Sequence, residues 1–180
     1  LEIANTLETM VQEILTVSRL ETAGTDFKKD RLDCVQVIKS YLSETEDLIA
    51  GKDLQIQLDA PPSALISGNK LLMEKVFSNL MGNAIKYSPQ GASIRISVRM
   101  NRQQMKREQM EFSVENTGAH IPEDSLPRLF DPFYRVEQSR SRKTGGSGLG
   151  LYIVQEILHQ HGSQCTACNT QAGVRFSFMI

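Results

Sequence analysis

The chain is short of the features that mark several protein classes. Its 20 Lys and Arg against 21 Asp and Glu give a formal net charge of −1, whereas nucleic-acid binders usually carry a basic surplus. No apolar run approaches the roughly 20 residues needed to cross a bilayer. Its 3 cysteines lack a framework spacing, which indicates a reducing compartment rather than a disulfide scaffold.

What is present is the composition of a globular domain. Of the 180 residues, 40% are hydrophobic and 23% are charged, which excludes wholesale disorder. The length suits one domain with a real core plus a short appendage. Because the chain starts at Leu1 without a signal-like segment, we expect it to be part of a longer protein.

The hydropathy pattern predicts a two-layer α/β sandwich. Apolar and polar residues alternate in residues 54–58, 93–100, 110–115 and 174–180, and such strands bury one face only. Residues 34–50, 70–87 and 149–161 carry apolar stripes at helical spacing, with Asn69 as the expected N-cap of the second helix and Gly162 after the third. We therefore expect a mixed, mostly antiparallel sheet covered by helices on one face.

The first 21 residues predict a separate helix with a narrow apolar seam. The spacing is 4-3-4-3, the average period of coiled coils and helical hairpins, and Glu13 lies off the seam. Such a seam indicates a missing partner helix, although the helix could also pack on its own domain. Polar residues 22–33 would then form a linker leading into a short strand. The seam residues are Ile3, Leu7, Met10, Ile14 and Val17.

A row of polar residues interrupts the apolar helix 70–87. Asn79, Asn83 and Lys86 are spaced i, i+4 and i+7, so they share one helix face. Asn oxygens suit Mg²⁺, and a lysine one turn on can reach a phosphate. Alone, the row could equally be an exposed helix face.

Two glycine-containing segments are further candidates for the site that this polar row would belong to. Residues 145–151 (G-G-S-G-L-G-L) run into the last helix, where backbone N–H groups and the helix dipole favour an anion. The basic stretch 135–144 upstream is a candidate lid. The turn at Asn116 and Gly118 ends a strand, and its amide could pair with adenine. Each segment alone could be an ordinary structural turn.

Together these motifs resemble those of bacterial sensor histidine kinases. The resemblance covers residues 27–180 as the catalytic ATP-binding domain of the Bergerat type, and residues 1–22 as the C-terminal part of the dimerisation and phosphotransfer hairpin. The segments F-Y-R-V-E-Q-S-R-S-R and G-G-S-G-L-G-L-Y-I-V are most similar to vancomycin-resistance sensor kinases. The matching motifs, in chain order, are Asn79 to Asn83, Asn116-Thr117-Gly118, Phe130-Asp131-Pro132-Phe133-Tyr134-Arg135 and Gly146-Ser147-Gly148-Leu149-Gly150.

The resemblance implies a role for each matching residue. ATP and Mg²⁺ are the expected cofactors, with Asn83 as metal ligand beside Asn79. Phe130, Phe133 and Tyr134 would hinge and pack the lid, or serve as ordinary core aromatics. Catalytic roles fall to Asn79, Lys86, Arg135 and Arg142, with Lys143 as an alternative to Arg142. Nucleotide contacts fall to Asn79, Asn83, Lys86, Tyr87, Asn116, Gly118, Ile121, Gly146, Ser147, Gly148, Leu149 and Gly150.

Two departures from related sequences bear on the chemistry. Asn116 stands where these kinases usually have the adenine-binding Asp, so an uncharged amide must accept from the adenine amino group. In the related hydrolytic ATPases, the position that corresponds to Asn79 resembles a Glu that activates water. An amide cannot act as a general base, so the site suits transfer to a nucleophile from another domain rather than to water.

The phospho-acceptor is expected to lie outside this chain. None of the three histidines, His120, His159 and His161, has the sequence context of a kinase acceptor, and each is expected to be structural or exposed. We therefore expect Mg·ATP binding without self-labelling, and as partners the chain's own dimerisation domain and a response regulator. The location implied is the cytoplasmic side of a membrane protein.

Other functions stay open at this point. A serine kinase or an ATPase of the same fold would use another acceptor, and a non-enzymatic interaction module would use the glycines only to form loops. The pair Cys165 and Cys168 has a spacing found in metal and redox sites, but it lacks the second pair that such sites need.

Overall fold

The structure is a computed structural model, and it describes residues 2–23, 28–101, 109–136 and 146–180. Within these residues the helices are α1 (Glu2–Ala23), α2 (Cys34–Glu44), α3 (Glu46–Gly51), α4 (Lys70–Tyr87) and α5 (Gly150–Gln160), with a 3-10 turn at Leu126–Arg128. The strands are β1 (Asp30–Asp33), β2 (Gln55–Asp59), β3 (Leu65–Gly68), β4 (Ser93–Asn101), β5 (Gln109–Thr117), β6 (Cys165–Asn169) and β7 (Gly173–Met179).

The main sheet has five strands in the order β2-β4-β5-β7-β6. β2 pairs with β4 in parallel, and the other neighbours are antiparallel. A second, two-stranded sheet pairs β1 with β3. The predicted mixed, mostly antiparallel sheet is confirmed, including the antiparallel pairing of β4 with β5.

The helices cover one face of this sheet, as the strand alternation predicted. On the covered face Phe112 of β5 lies opposite Phe178 of β7, and Phe77 of α4 packs edge-on against Phe112 with their ring centroids 5.1 Å apart. On the other face Glu115 accepts from Nε of Arg175 at 2.8 Å. Because side chains alternate along a strand, each strand supplies both surfaces.

Helix α1 packs on α5 by one face. Leu20 is only 5% exposed and Val17 packs against the core, while Nε2 of Gln160 donates to the Leu20 carbonyl at 2.7 Å. Leu7 and Ile14 of the predicted seam are instead 58% and 52% exposed. The face of α1 that packs on α5 is therefore rotated from the predicted seam: it includes Val17 but leaves Leu7 and Ile14 exposed.

The structure differs from the predicted elements in two places. The helix predicted over residues 34–50 is broken at Thr45, whose Oγ1 donates to the Tyr41 carbonyl at 2.8 Å and so competes with the helical hydrogen bonds. The short strands β3 and β6 were not predicted, because neither carries a run of alternating apolar residues. No helix in the described ranges is long and apolar enough to span a bilayer.

Candidate functional site

A cavity of about 360 Å³ lies between α4, the loop after β5 and the N-terminus of α5. It gathers most of the residues that the sequence motifs singled out, from segments far apart in the chain. The predicted residues that line it are Asn79, Asn83, Lys86, Tyr87, Asn116, Ile121, Arg135, Gly146, Ser147, Gly148 and Gly150.

The polar row of α4 forms one wall. Asn79 and Asn83 line the cavity, while their neighbours Leu80 and Ala84 are buried in the core. Nδ2 of Asn79 donates to the Gly150 carbonyl at 3.1 Å, so the amide row is tied directly to the first turn of α5. The alternative of an exposed helix face is wrong.

The C-terminal end of α4 is held by a lysine that the sequence patterns did not single out. Nζ of Lys52 donates to the carbonyl oxygens of Ile85, Lys86 and Ser88 at 2.9, 2.7 and 3.0 Å. These carbonyls have no partner within the helix, and a cation there also suits the helix dipole. Lys52 thereby fixes the turn that presents Lys86 to the cavity.

The loop after β5 forms the opposite wall. Asn116 is 5% exposed and reaches the cavity from the strand end. Gly118 has φ +80°, and a Cβ there would lie 2.9 Å from Cγ of Pro89, so this position requires glycine. Gly118 does not itself line the cavity among the described residues; it shapes the turn.

A second asparagine clamps this loop from β6. Nδ2 of Asn169 donates to the Ile121 carbonyl at 2.7 Å, and its Oδ1 accepts from the Ile121 N–H at 2.9 Å. His120 directly precedes Ile121. Its Nε2 donates to the Thr170 carbonyl at 3.0 Å, and the residue also lines the cavity. Asn169 was missed because β6 carries no pattern that places it beside the loop.

The glycine segment before α5 approaches another backbone closely. Gly148 has φ +76°, and a Cβ on it would lie 2.8 Å from the carbonyl carbon of Phe133. Its carbonyl accepts from the Phe133 N–H at 3.0 Å, while Oγ of Ser147 accepts from the Leu149 N–H at 3.0 Å. The Leu149 side chain is 2% exposed in the core and does not line the cavity.

The aromatic motif divides between core and cavity. Phe130 packs edge-on against Phe176 with centroids 6.4 Å apart, whereas Phe133 is 66% exposed and has φ +63°. Tyr134 lines the cavity and stacks under the Arg128 guanidinium at 4.3 Å. Arg142 and Lys143, predicted for the lid, lie outside the described residues.

Two cations face the cavity near one another. Burial lowers the pKa of Lys86, and the nearby Arg135 guanidinium lowers it further, while Glu13 acts in the opposite direction. Burial also raises the pKa of Tyr87, against the opposing effect of Arg135. Paired cations in a partly desolvated cavity are suited to an anionic ligand.

Glu13 of α1 also lines the cavity, a position that the sequence patterns did not predict. The seam placed it among the outward residues of α1. It lies instead one turn before Val17 on the face that packs toward α5, because the inward face of α1 is rotated from the predicted seam.

The donor chemistry of the cavity fits a hard cation carried with phosphate. Among the described residues no cluster of three His, Cys, Asp or Glu could hold a metal, so Cys165 and Cys168 form no such site there. The amide oxygens of Asn79 and Asn83 are ligands that Mg²⁺ accepts when phosphate oxygens and water complete its shell. Asn79 already uses its amide nitrogen on Gly150, which leaves its oxygen for a cation.

Comparisons with known proteins agree with the motifs. Residues 68–180 match the family described as histidine kinase-, DNA gyrase B-, and HSP90-like ATPase. The phosphate regulon sensor protein PhoR of Pseudomonas aeruginosa is 34% identical over 160 residues, covering 88% of this chain and 34% of PhoR. Sensor protein VanSB of Enterococcus faecalis is 34% identical over 166 residues, covering 92% of this chain and 36% of VanSB. This chain thus spans about a third of the length of these relatives.

Solved structures agree with the predicted Bergerat-type fold. The histidine kinase AdeS of Acinetobacter baumannii is 25% identical with a TM-score of 0.77, and the match covers 98% of this chain and 79% of AdeS. The catalytic domain of histidine kinase ThkA is 24% identical with a TM-score of 0.73, over 86% of this chain and 95% of ThkA. The predicted similarity to sensor kinases of the vancomycin-resistance type agrees with VanSB and VanS among the relatives. The family prediction is confirmed: this chain belongs to the histidine kinase-, DNA gyrase B-, and HSP90-like ATPases.

Proposed function

We propose that this chain is the catalytic part of a sensor histidine kinase. It binds ATP with Mg²⁺ and passes the γ-phosphoryl group to a histidine of a dimerisation domain, from which an aspartate of a response regulator takes it. The observation that carries the proposal is the junction of α4 and α5, where the amide row and the glycine segment share one cavity and Asn79 bonds to Gly150.

Each part of the nucleotide has a suitable partner in the cavity. Asn116 would pair with the adenine amino group, and the N-terminal turn of α5 would hold phosphates through backbone N–H groups and the helix dipole. Lys86 and Arg135 would neutralise the phosphate charge. Asn83 and Asn79 would hold Mg²⁺, which supplies further charge neutralisation on the phosphates when bound.

The chemistry of α4 favours transfer over hydrolysis. Asn79 stands one turn before Asn83 and carries an amide, which cannot take a proton from water near neutral pH. The chain's own groups therefore position the phosphoryl group and stabilise charge, and the nucleophile must come from elsewhere. A site of this kind gives slow hydrolysis and fast transfer once an acceptor docks.

The proposed domains follow from α1. We assign residues 1–22 to the C-terminal part of the dimerisation hairpin and residues 27–180 to the catalytic domain. Leu7, Val11 and Ile14 of α1 are each more than half exposed, which supports a partner helix on that side. We place the domain on the cytoplasmic side of a membrane sensor protein. ThkA, similar in fold, is solved in complex with the response regulator protein TrrA, which supports that class of partner.

A nucleotide titration tests the binding step. ATP at about 100 times its dissociation constant should add about 2.7 kcal/mol to the free energy of unfolding, and Asn83→Ala should remove most of the Mg²⁺-dependent part. Ser78→Ala on the same helix is the control, because Ser78 does not line the cavity. Flat calorimetry at millimolar ATP would contradict the proposal.

A labelling experiment tests the transfer step. With γ-labelled ATP the 180-residue chain should stay unlabelled, and a hairpin carrying the acceptor histidine should become labelled when added. Phosphopeptide mapping of the longer protein separates histidine from serine as the acceptor. Label on this chain alone would contradict the assignment of the acceptor to another segment.

An ATPase is the second candidate, favoured by one observation. Glu13 is the only Asp or Glu among the cavity residues in the described part of the chain, and a carboxylate is the group that could activate water. Steady phosphate release that Glu13→Gln abolishes would establish the ATPase and reject the kinase.

A further inference from the structure

Glu13 enters the cavity from outside the region that matches the family. It belongs to α1, whereas the family match covers residues 68–180. Its side chain lines the cavity, and Oε2 is buried without a hydrogen-bond partner among the described residues. A buried carboxylate oxygen with no donor is costly, so its position needs a cause.

The cause is the docking of α1 on α5. Leu20 is buried at 5% exposure, and Gln160 donates to its carbonyl at 2.7 Å. Residues 13, 17 and 20 share one helix face, so seating Val17 and Leu20 carries Glu13 to the mouth of the cavity. The packing of two apolar residues thus holds a carboxylate where it would not otherwise lie.

The surroundings of Glu13 are cationic. Glu13 acts on Lys86 in the direction that keeps the ammonium charged, against the effects of burial and of Arg135. In the proposed function Lys86 and Arg135 also neutralise the charge of the phosphates. Two anions facing the same cations in a partly desolvated cavity repel each other, so the carboxylate and the phosphates compete.

We propose that Glu13 is a specificity-determining residue of the nucleotide cavity, which disfavours polyphosphate for as long as α1 stays docked on α5. The inference rests on the proposed function, because it concerns the same site. It makes the affinity for ATP depend on the position of α1. A movement of α1 away from α5 removes the carboxylate and raises the affinity.

Calorimetry of charge variants tests this with ATP, ADP and adenosine in Mg²⁺ buffer. Glu13→Gln should bind ATP about tenfold more tightly, or about 1.4 kcal/mol, with a smaller gain for ADP and none for adenosine. Glu8→Gln removes the same charge from an exposed position of α1 and should leave all three affinities unchanged.

A double-variant cycle separates docking from local chemistry. Leu20→Ser should loosen α1 and tighten ATP binding with Glu13 still present, and adding Glu13→Gln should then give little further gain. Both variants lie on α1, so thermal unfolding of the rest of the domain checks that it stays folded.

The outcomes distinguish this inference from the function it rests on. If wild type and Glu13→Gln both fail to bind ATP, the proposed function fails. If wild type binds ATP and Glu13→Gln binds equally well or more weakly, only the inference about Glu13 is overturned. An equal gain for adenosine would also overturn it, because a steric effect rather than charge would then be responsible.

Discussion

Replacing Lys52 with Met should destabilise the domain and weaken its nucleotide site together. Lys52 donates to three carbonyls at the end of α4, at 2.7 to 3.0 Å. A hydrogen bond from a charged group contributes about 1.5–3 kcal/mol when buried. Water can replace part of this at a half-buried position, so we expect a total loss of about 2 kcal/mol. In a chain of this size that lowers Tm by about 4–8 °C.

The second effect is on ATP. The last turn of α4 carries Lys86 and Tyr87 into the cavity, and a frayed turn would hold them less firmly. We expect ATP affinity to fall about threefold, or about 0.7 kcal/mol. Urea unfolding with and without ATP measures both effects on the same sample.

A matched substitution on α4, the helix whose C-terminal end Lys52 contacts, gives the control. Lys70→Met removes an exposed lysine whose Nζ lies 3.8 Å from Oε1 of Glu74, and it should change the free energy of unfolding by less than about 0.5 kcal/mol. The reasoning is refuted if Lys52→Met behaves like Lys70→Met. It is refuted in part if stability falls while ATP affinity stays constant.

Three further substitutions test the strand packing, the loop beside the cavity and a buried histidine. Gly173→Ala places a Cβ against the Asn116 carbonyl oxygen of β5 and should lower the free energy of unfolding in urea by about 3 kcal/mol, whereas Gly51→Ala, with open space around it, should cost almost nothing. Asn169→Ala removes both bonds to Ile121, and we expect it to cost about 2 kcal/mol and to weaken adenosine binding in calorimetry. Burial lowers the pKa of His161 from 6.5, so its contribution to stability is complete above pH 6.5 and falls as pH drops toward the folded-state pKa. His161→Gln should therefore reduce the change in the urea midpoint between pH 8 and pH 5.5. A pH dependence equal to that of the wild type would contradict this.

The sheet and its buried face were predictable because alternation carries the information locally. In β4, Ile94, Ile96 and Val98 are all buried, as a period of two requires. The amide row of α4 was predictable for the same kind of reason, since polar residues at helical spacing inside an apolar helix must face something other than the core. Each of these signals lies within one element.

The contacts that link distant elements were not predictable. Lys52 reaches carbonyls that lie 33 to 36 residues away, and nothing in its neighbourhood distinguishes it from an exposed lysine. Glu13 lies on a helix with apolar residues on two sides, so periodicity alone could not tell which side α5 would bury. Tertiary packing decided both.

The hydrogen bond between Phe133 and Gly148 has a consequence for engineering. The two residues meet backbone to backbone, so the chain between them, residues 134–147, starts and ends at one place. Lengthening a loop whose ends are held together costs little extra entropy, since each doubling of the loop length adds only about 0.6 kcal/mol. Insertion of a peptide tag or a fluorescent reporter between these two anchor points should therefore leave the sheet and the α4–α5 junction intact.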